Sequence, residues 1–128
     1  MIKKILIVDD SIVARMGLKK AIPKDVPYEF YEAADGASGV EQFKTVAPDV
    51  VFLDLTMPVM TGFQALDEIM KFDKSAAVIV VTADIQKKTM DRVLESGALL
   101  VISKPPSQEE IRSALEKAGK FKEGVMKR

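Results

Sequence analysis

The chain has 128 residues, 48% of them hydrophobic, which predicts one globular domain with a single core. Lysine plus arginine and aspartate plus glutamate are equal at 19 each, so the overall charge gives no reason to expect binding to nucleic acid or to an anionic membrane. The chain has no cysteine and no histidine, which excludes disulfides, thiolate or imidazole nucleophiles, zinc sites built from these ligands, and a phosphohistidine.

No segment has the length of a membrane span or of a secretory signal. The longest apolar stretch, 76–81, is far too short to cross a bilayer. The apolar part of the N-terminal segment ends at Asp9 after four residues, which is shorter than the core of a signal peptide. The sequence therefore predicts a cytoplasmic protein.

Short apolar runs alternate with segments of helical periodicity along the chain. In order, the pattern predicts strand 5–8, helix 11–21, edge strand 28–33, helix 37–44, strand 50–53, a helix from 61, strand 77–81, helix 86–95, strand 99–102 and helix 107–118. Strands that are apolar throughout are typical of a parallel sheet covered on both faces. The alternation predicts an α/β fold, a doubly wound sheet built from right-handed βαβ units.

The C-terminal segment has two interpretations. Gly119 ends the regular pattern, so that residues 1–118 form the domain and residues 119–128 form a basic tail, with no output domain after it. Alternatively, Phe121, Val125 and Met126 extend the last helix. The sequence does not decide between them.

Polar side chains follow the predicted strands at the ends where the strands stop. Asp9, Asp10, Asp54, Thr82 and Lys104 stand at such positions, and parallel strands bring these ends to one edge, where open α/β sheets bind ligands. Clustered carboxylates repel one another, and a hard cation such as Mg²⁺ removes that cost. A nucleophilic carboxylate beside a metal, an ammonium and a hydroxyl is suited to phosphoryl transfer.

Each of these residues also has an ordinary structural interpretation. Asp9 and Asp10 are common helix-capping residues, and Asp54 is a plausible strand terminator. Lys104 at a strand end is usually solvated, although Pro105 after it indicates a rigid turn and makes the Lys104–Pro105 bond a candidate cis peptide. Their joint placement at strand ends favours a metal-binding and phosphoryl-transfer site over these separate structural roles.

Several motifs at consistent spacing resemble the signature of bacterial response regulator receiver domains over about residues 3 to 118. They are Asp9-Asp10, Asp54, Met57-Pro58 with Gly62, Thr82-Ala83 and Lys104-Pro105. The resemblance implies a single flavodoxin-like (βα)5 domain with strand order 2-1-3-4-5 and helices on both faces. It also suggests a stand-alone regulator, with chemotaxis as a candidate process.

The resemblance implies a role for each site residue. Asp54 would be the phosphoacceptor. The metal, Mg²⁺ or in its place Mn²⁺, would be held by Asp9, Asp10, Asp54 and the backbone carbonyl of Thr56, and the phosphoryl group by Thr82, Ala83 and Lys104. A histidine kinase would donate the phosphoryl group, and a phosphatase is a further candidate partner. Phosphorylation would change the affinity of the face made by the fourth helix, fifth strand and fifth helix for a target protein.

The chain departs from the common family pattern in three respects. Val101 stands where many receivers carry the Tyr or Phe that moves with the threonine, which puts the output coupling in doubt. Thr61 replaces the Asp or Asn that often precedes Gly62, although threonine also caps helices. Thr56 and Asp84 occupy positions that commonly tune hydrolysis of the acyl phosphate.

Two other functions compete with the switch. The change at Val101 motivates a constitutive binding module with a relic acid pocket. An aspartate-nucleophile phosphatase is a weaker alternative, because that class places a second Asp two residues after its nucleophile and this chain has Thr56 there. We therefore expect a signalling protein that assists its own phosphorylation and dephosphorylation and is not a turnover enzyme.

Overall fold

The computed structural model describes residues 2–57 and 59–126 and alternates strands with helices throughout. The elements are β1 (Lys4–Val8), α1 (Ile12–Ala21), β2 (Glu29–Ala33), α2 (Gly36–Val46), β3 (Val50–Leu53), α3 (Gly62–Phe72), β4 (Val78–Thr82), α4 (Lys87–Glu95), β5 (Leu100–Ser103) and α5 (Gln108–Met126). Each predicted element is present, with most bounds shifted by one or two residues. In this described part of the chain, no helix is long and apolar enough to cross a membrane.

The described strands form one parallel sheet in the order β2-β1-β3-β4-β5. This order confirms the predicted doubly wound, flavodoxin-like fold, and β2 lies at an edge as predicted. Because β1 and β3 are neighbours in the centre, the residues that follow Val8 and Leu53 leave the sheet side by side.

The two faces of the sheet carry separate apolar clusters, because successive side chains of a strand point to opposite faces. Leu6, Val8, Val51, Leu53 and their neighbours pack against α2, α3 and α4. The intervening residues, such as Ile7 and Phe52, pack against α1 and α5 on the other face. Helices therefore cover both sides of the sheet, as the fully apolar strands predict.

Side-chain caps fix the beginning of four of the helices. The side chains of Ser11 and Asp35 accept hydrogen bonds from the third residue after each, at the starts of α1 and α2. Thr61 forms a capping box with Gln64 at α3, and Ser107 exchanges similar bonds with Glu110 at α5. Thr61 therefore keeps the capping function at its unusual position.

Helix α5 does not end at Gly119 but continues to Met126. The extension is supported by tertiary contacts, since Phe121 packs against the α1/α5 cluster and the ammonium of Lys122 donates to the carbonyl of Ser75 at 3.1 Å. The interpretation of 119–126 as a loose tail is therefore wrong. Residues 127 and 128 lie outside the described residues.

Candidate functional site

Asp9 and Asp54 leave the carboxyl ends of the two central strands next to each other. The amide of Asp54 donates to the carbonyl of Val8 at 2.9 Å, and the amide of Asp9 donates to that of Ala33 at 3.0 Å. These bonds continue the sheet ladder one residue past the strands. Both aspartates are buried, with 6% and 7% of their surfaces exposed, so two carboxylates share a sparsely solvated position.

Lys104 directly follows the edge strand β5 and brings a positive charge to this position. Its amide donates to the carbonyl of Thr82 at 3.0 Å, which fixes the backbone beside the end of β4. Its ammonium lies 2.7 Å from Oδ2 of Asp9 and 3.3 Å from Oδ1 of Asp54. The Lys104–Pro105 peptide bond is cis, the isomer for which the sequence made it a candidate.

Two residues that the sequence analysis did not assign to the site hold Asp9 in place. The amide of Ser11 donates to Oδ1 of Asp9 at 2.9 Å. The guanidinium of Arg15 donates to the backbone carbonyl of Asp9 at 2.6 Å and forms an ion pair with Glu32 at 2.9 Å. The signal for Arg15 is its place one helical turn after the Ser11 cap, where a long side chain reaches back to the start of α1.

The carboxylates of Asp9, Asp10 and Asp54 meet the requirements of a hard metal ion. One oxygen of each lies within 4.8 Å of the others. All of these donors are oxygens, Asp10 is exposed, and the three carboxylates outnumber the ammonium of Lys104. Mg²⁺ takes carboxylate oxygens and keeps several waters, so this donor set fits it.

Burial and charge shift the ionisation of the central groups. Burial, together with the charge of Asp9, raises the pKa of Asp54 above its ordinary value, although Lys104 opposes this rise. Burial alone would lower the pKa of Lys104, but the hydrogen bond to Asp9 and the charges of Asp54 and Asp9 raise it overall. Lys104 is therefore firmly cationic, while Asp54 carries a charge that its surroundings disfavour.

Gly62 lets the loop after β3 return to the backbone of Asp54. A Cβ at this position would overlap the carbonyl oxygen of Asp54 and the Cα of Leu55. The amide of Gly62 donates to the carbonyl of Leu55 at 2.9 Å. The close approach therefore requires glycine and fixes the backbone that carries Asp54.

Thr82 is joined to α4 through Asp84. Thr82 is a buried residue, 2% exposed, and its hydroxyl accepts a hydrogen bond from the amide of Asp84 at 3.1 Å. The carboxylate of Asp84 accepts from the amide of Gln86 at 3.1 Å and from the buried hydroxyl of Thr89 at 2.8 Å. Asp84 thus ties the loop after β4 to the first turn of α4, whose N-cap residue Gln86 makes no side-chain cap. A role for Asp84 in hydrolysis stays a prediction.

The other predicted positions surround this centre. Thr56 and Ala83 are exposed, and Met57 is buried. Val101 is half-buried and packs against the cluster under α2, α3 and α4. Pro58 lies outside the described residues.

The response regulator receiver domain family matches residues 5–116 of the chain. A chemotaxis protein CheY of Thermotoga maritima is 41% identical over 119 residues, which cover 92% of this chain and 98% of that protein.

Solved structures of receiver domains have a fold similar to that of this chain. A chain from the CheX-CheY-BeF3-Mg+2 complex of Borrelia burgdorferi is 32% identical and superposes with a TM-score of 0.85, covering 91% of this chain and 89% of that chain. A CheY-like receiver domain protein of Methanospirillum hungatei shares the fold, with a TM-score of 0.87 at 24% identity, over 97% of this chain and 99% of that one.

Proposed function

The chain belongs to the response regulator receiver domain family, and we propose that it is a phosphorylation-activated switch that accepts a phosphoryl group on Asp54. The observation that carries the proposal is the position of Asp54, beside two further carboxylates and within 3.3 Å of the ammonium of Lys104. This combination supplies a nucleophile, a metal-binding set and a cation for phosphoryl oxygens at one sheet edge.

In this proposal the residues divide the chemistry between them. A carboxylate oxygen of Asp54 attacks the phosphorus while the bond from phosphorus to the donor breaks and the donor keeps that electron pair. Lys104 pairs with the phosphoryl oxygens as it now pairs with the carboxylates. The carboxylates of Asp9, Asp10 and Asp54 and the carbonyl of Thr56 would hold Mg²⁺, with Mn²⁺ as a substitute. The bound ion would neutralise negative charge and so reduce the repulsion between Asp54 and the phosphoryl group of the donor.

The switch begins at Thr82 in our proposal. The hydroxyl of Thr82 accepts a hydrogen bond from the amide of Asp84, and its own proton can donate to a phosphoryl oxygen. A movement of Thr82 toward that oxygen therefore pulls on the segment that leads directly into α4. Phosphorylation then favours a different arrangement of the loop after β4 and of the face made by α4, β5 and α5, where a target protein binds. Val101 contributes to this face without an aromatic ring, so we assign the coupling to the loop itself.

The family and its relatives support a proposal for the donor and for the process. A histidine kinase is the proposed phosphodonor, in keeping with the absence of histidine in this chain. Chemotaxis is the proposed process and the cytoplasm the proposed location, because relatives at 37–41% identity carry the name CheY. The Borrelia burgdorferi relative occurs in a complex with CheX, which supports a protein partner for this chain. A phosphatase stays a further candidate partner.

The experiment that tests the proposal is labelling by acetyl phosphate, followed by intact-protein mass spectrometry, with and without Mg²⁺. We expect one phosphoryl group per chain, only with Mg²⁺, and none in Asp54→Asn. Asp67→Asn is the matched control, because Asp67 is an exposed carboxylate on α3, away from the sheet edge. Equal labelling of wild type and Asp54→Asn would disprove the assignment.

A further inference from the structure

A cleft of about 450 Å³ adjoins the phosphoacceptor position, between α1 and the segment that follows β5. Asp9, Asp54 and Lys104 line part of it. The other described lining residues are all apolar, including Phe52 from β3 and Pro105. The charged centre therefore continues into an apolar space whose volume is typical of small-molecule sites.

Small residues on α1 keep this cleft open. Gly17 lies inside the helix, where glycine is less stabilising than alanine. A Cβ added to Gly17 would have open space around it. Apart from its two chain neighbours and the nearby backbone of its own helix, no heavy atom of the described residues lies within 4 Å. Unlike Gly62, Gly17 is therefore not explained by a close approach of the backbone. Ala14, one turn earlier, also lines the cleft, so two positions on one face of the helix carry small residues there, with Gly17 exposed at the rim.

We propose that the cleft is a subsite for the apolar acyl group of acyl phosphates larger than acetyl phosphate. The inference rests on the proposed function, because the phosphoryl group must lie against Asp54 and Lys104 while the acyl group occupies the space beside Gly17. The bond from phosphorus to a carboxylate oxygen of Asp54 forms as the bond from phosphorus to the bridging oxygen breaks. The departing carboxylate keeps that electron pair, and no proton or redox partner is needed.

Acyl phosphates of different size separate this subsite from the phosphorylation chemistry itself. The rate constants for labelling by benzoyl phosphate and by acetyl phosphate are measured at equal Mg²⁺, and their ratio is compared between variants, which cancels the intrinsic reactivities of the donors. Gly17→Leu fills the cleft, so we expect the ratio to fall by about tenfold, the lower end of what one methylene contributes in an apolar pocket.

Gly124→Leu is the matched control, because Gly124 is also a glycine of a helix whose Cβ would have no neighbour within 4 Å among the described residues. Its ratio is expected to equal that of wild type. Ala14→Leu provides a second filling variant and is expected to lower the ratio as well.

A ratio that stays unchanged in both filling variants, or that falls equally in Gly124→Leu, would overturn the subsite while leaving phosphorylation of Asp54 intact. Failure of both donors to label the wild-type protein would overturn the subsite and the proposed function together.

Discussion

The ammonium of Lys104 lies 2.7 Å from Oδ2 of Asp9, although the two residues are 95 positions apart in the chain. The same ammonium is 3.3 Å from Asp54. It therefore neutralises part of the charge of the carboxylates that are proposed to hold the metal ion. Lys104 is expected to weaken metal binding while it helps phosphoryl transfer, and these two effects are separable by mutation.

Lys104→Met should bind Mg²⁺ more tightly than wild type, because it removes a positive charge beside the carboxylates. Two unit charges about 4 Å apart interact by about 1 kcal/mol even in bulk water, so a tightening of roughly fivefold is the lower bound for this sparsely solvated position. Isothermal titration calorimetry measures the change. Lys71→Met, which removes an ammonium whose side chain is 76% exposed, is the control and should leave the affinity unchanged. Weaker Mg²⁺ binding by Lys104→Met would contradict this prediction.

Asp54→Asn should raise the free energy of unfolding at neutral pH. Burial and the charge of Asp9 raise the pKa of Asp54 in the folded protein, so the charged form is disfavoured relative to the unfolded chain. This cost is absent below the unfolded pKa, grows between the unfolded and the raised folded pKa, and is complete above the folded pKa.

Urea denaturation of both proteins across acidic and neutral pH tests this sign. The advantage of Asp54→Asn should be full at neutral pH and should vanish in acid, whereas the exposed Asp67→Asn should show no such trend. An advantage that grows toward acid would refute the argument.

Gly62→Ala should destabilise the protein by about 2 kcal/mol and slow the labelling of Asp54. The added Cβ would overlap the carbonyl of Asp54, so the backbone of the phosphoacceptor has to move. Gly124→Ala adds the same atom where the described structure has open space, and its stability should change by no more than about 1 kcal/mol. Chemical denaturation and acetyl phosphate labelling measure the two effects; equal stability of the two variants would rule out the close contact.

Thr89→Val should raise the pKa of Asp84 toward its ordinary value. The hydrogen bond from the hydroxyl of Thr89 is the largest cause of the lowered pKa of Asp84, followed by the amide of Gln86. NMR titration of the side-chain carboxyl measures the shift, and the amide of Gln86 should exchange faster with solvent. Thr45→Val is the control, since its hydroxyl bonds the carbonyl of Glu41. An unchanged pKa of Asp84 in Thr89→Val would show that the hydroxyl does not stabilise the carboxylate.

The sequence predicts those parts of the molecule in which local pattern and sheet geometry agree. Strand β3 was predicted at its observed bounds because four apolar residues stop at Asp54. Strands β4 and β5 begin and end one residue later than predicted, and at their ends the polar Thr82 and Ser103 pair with each other as part of the ladder.

Other features depend on contacts between distant parts of the chain. The last turns of α5 are stabilised where Phe121 packs against residues from other elements. The sequence does not reveal this contact, because Gly119 is typical of a helix end. The approach of Gly62 to Asp54 is likewise a property of the folded loop. The link from Asp84 to Thr89 requires knowing where the loop after β4 turns, which hydrophobic periodicity does not reveal.

Locating the phosphoryl group in the chain tests whether Asp54 is the phosphoacceptor. After labelling with acetyl phosphate and Mg²⁺, borohydride converts an aspartyl phosphate to homoserine, which peptide mass spectrometry assigns to a position. The account predicts homoserine at position 54 in the wild-type protein. Homoserine at another aspartate, or a labelled Asp54→Asn, would contradict it.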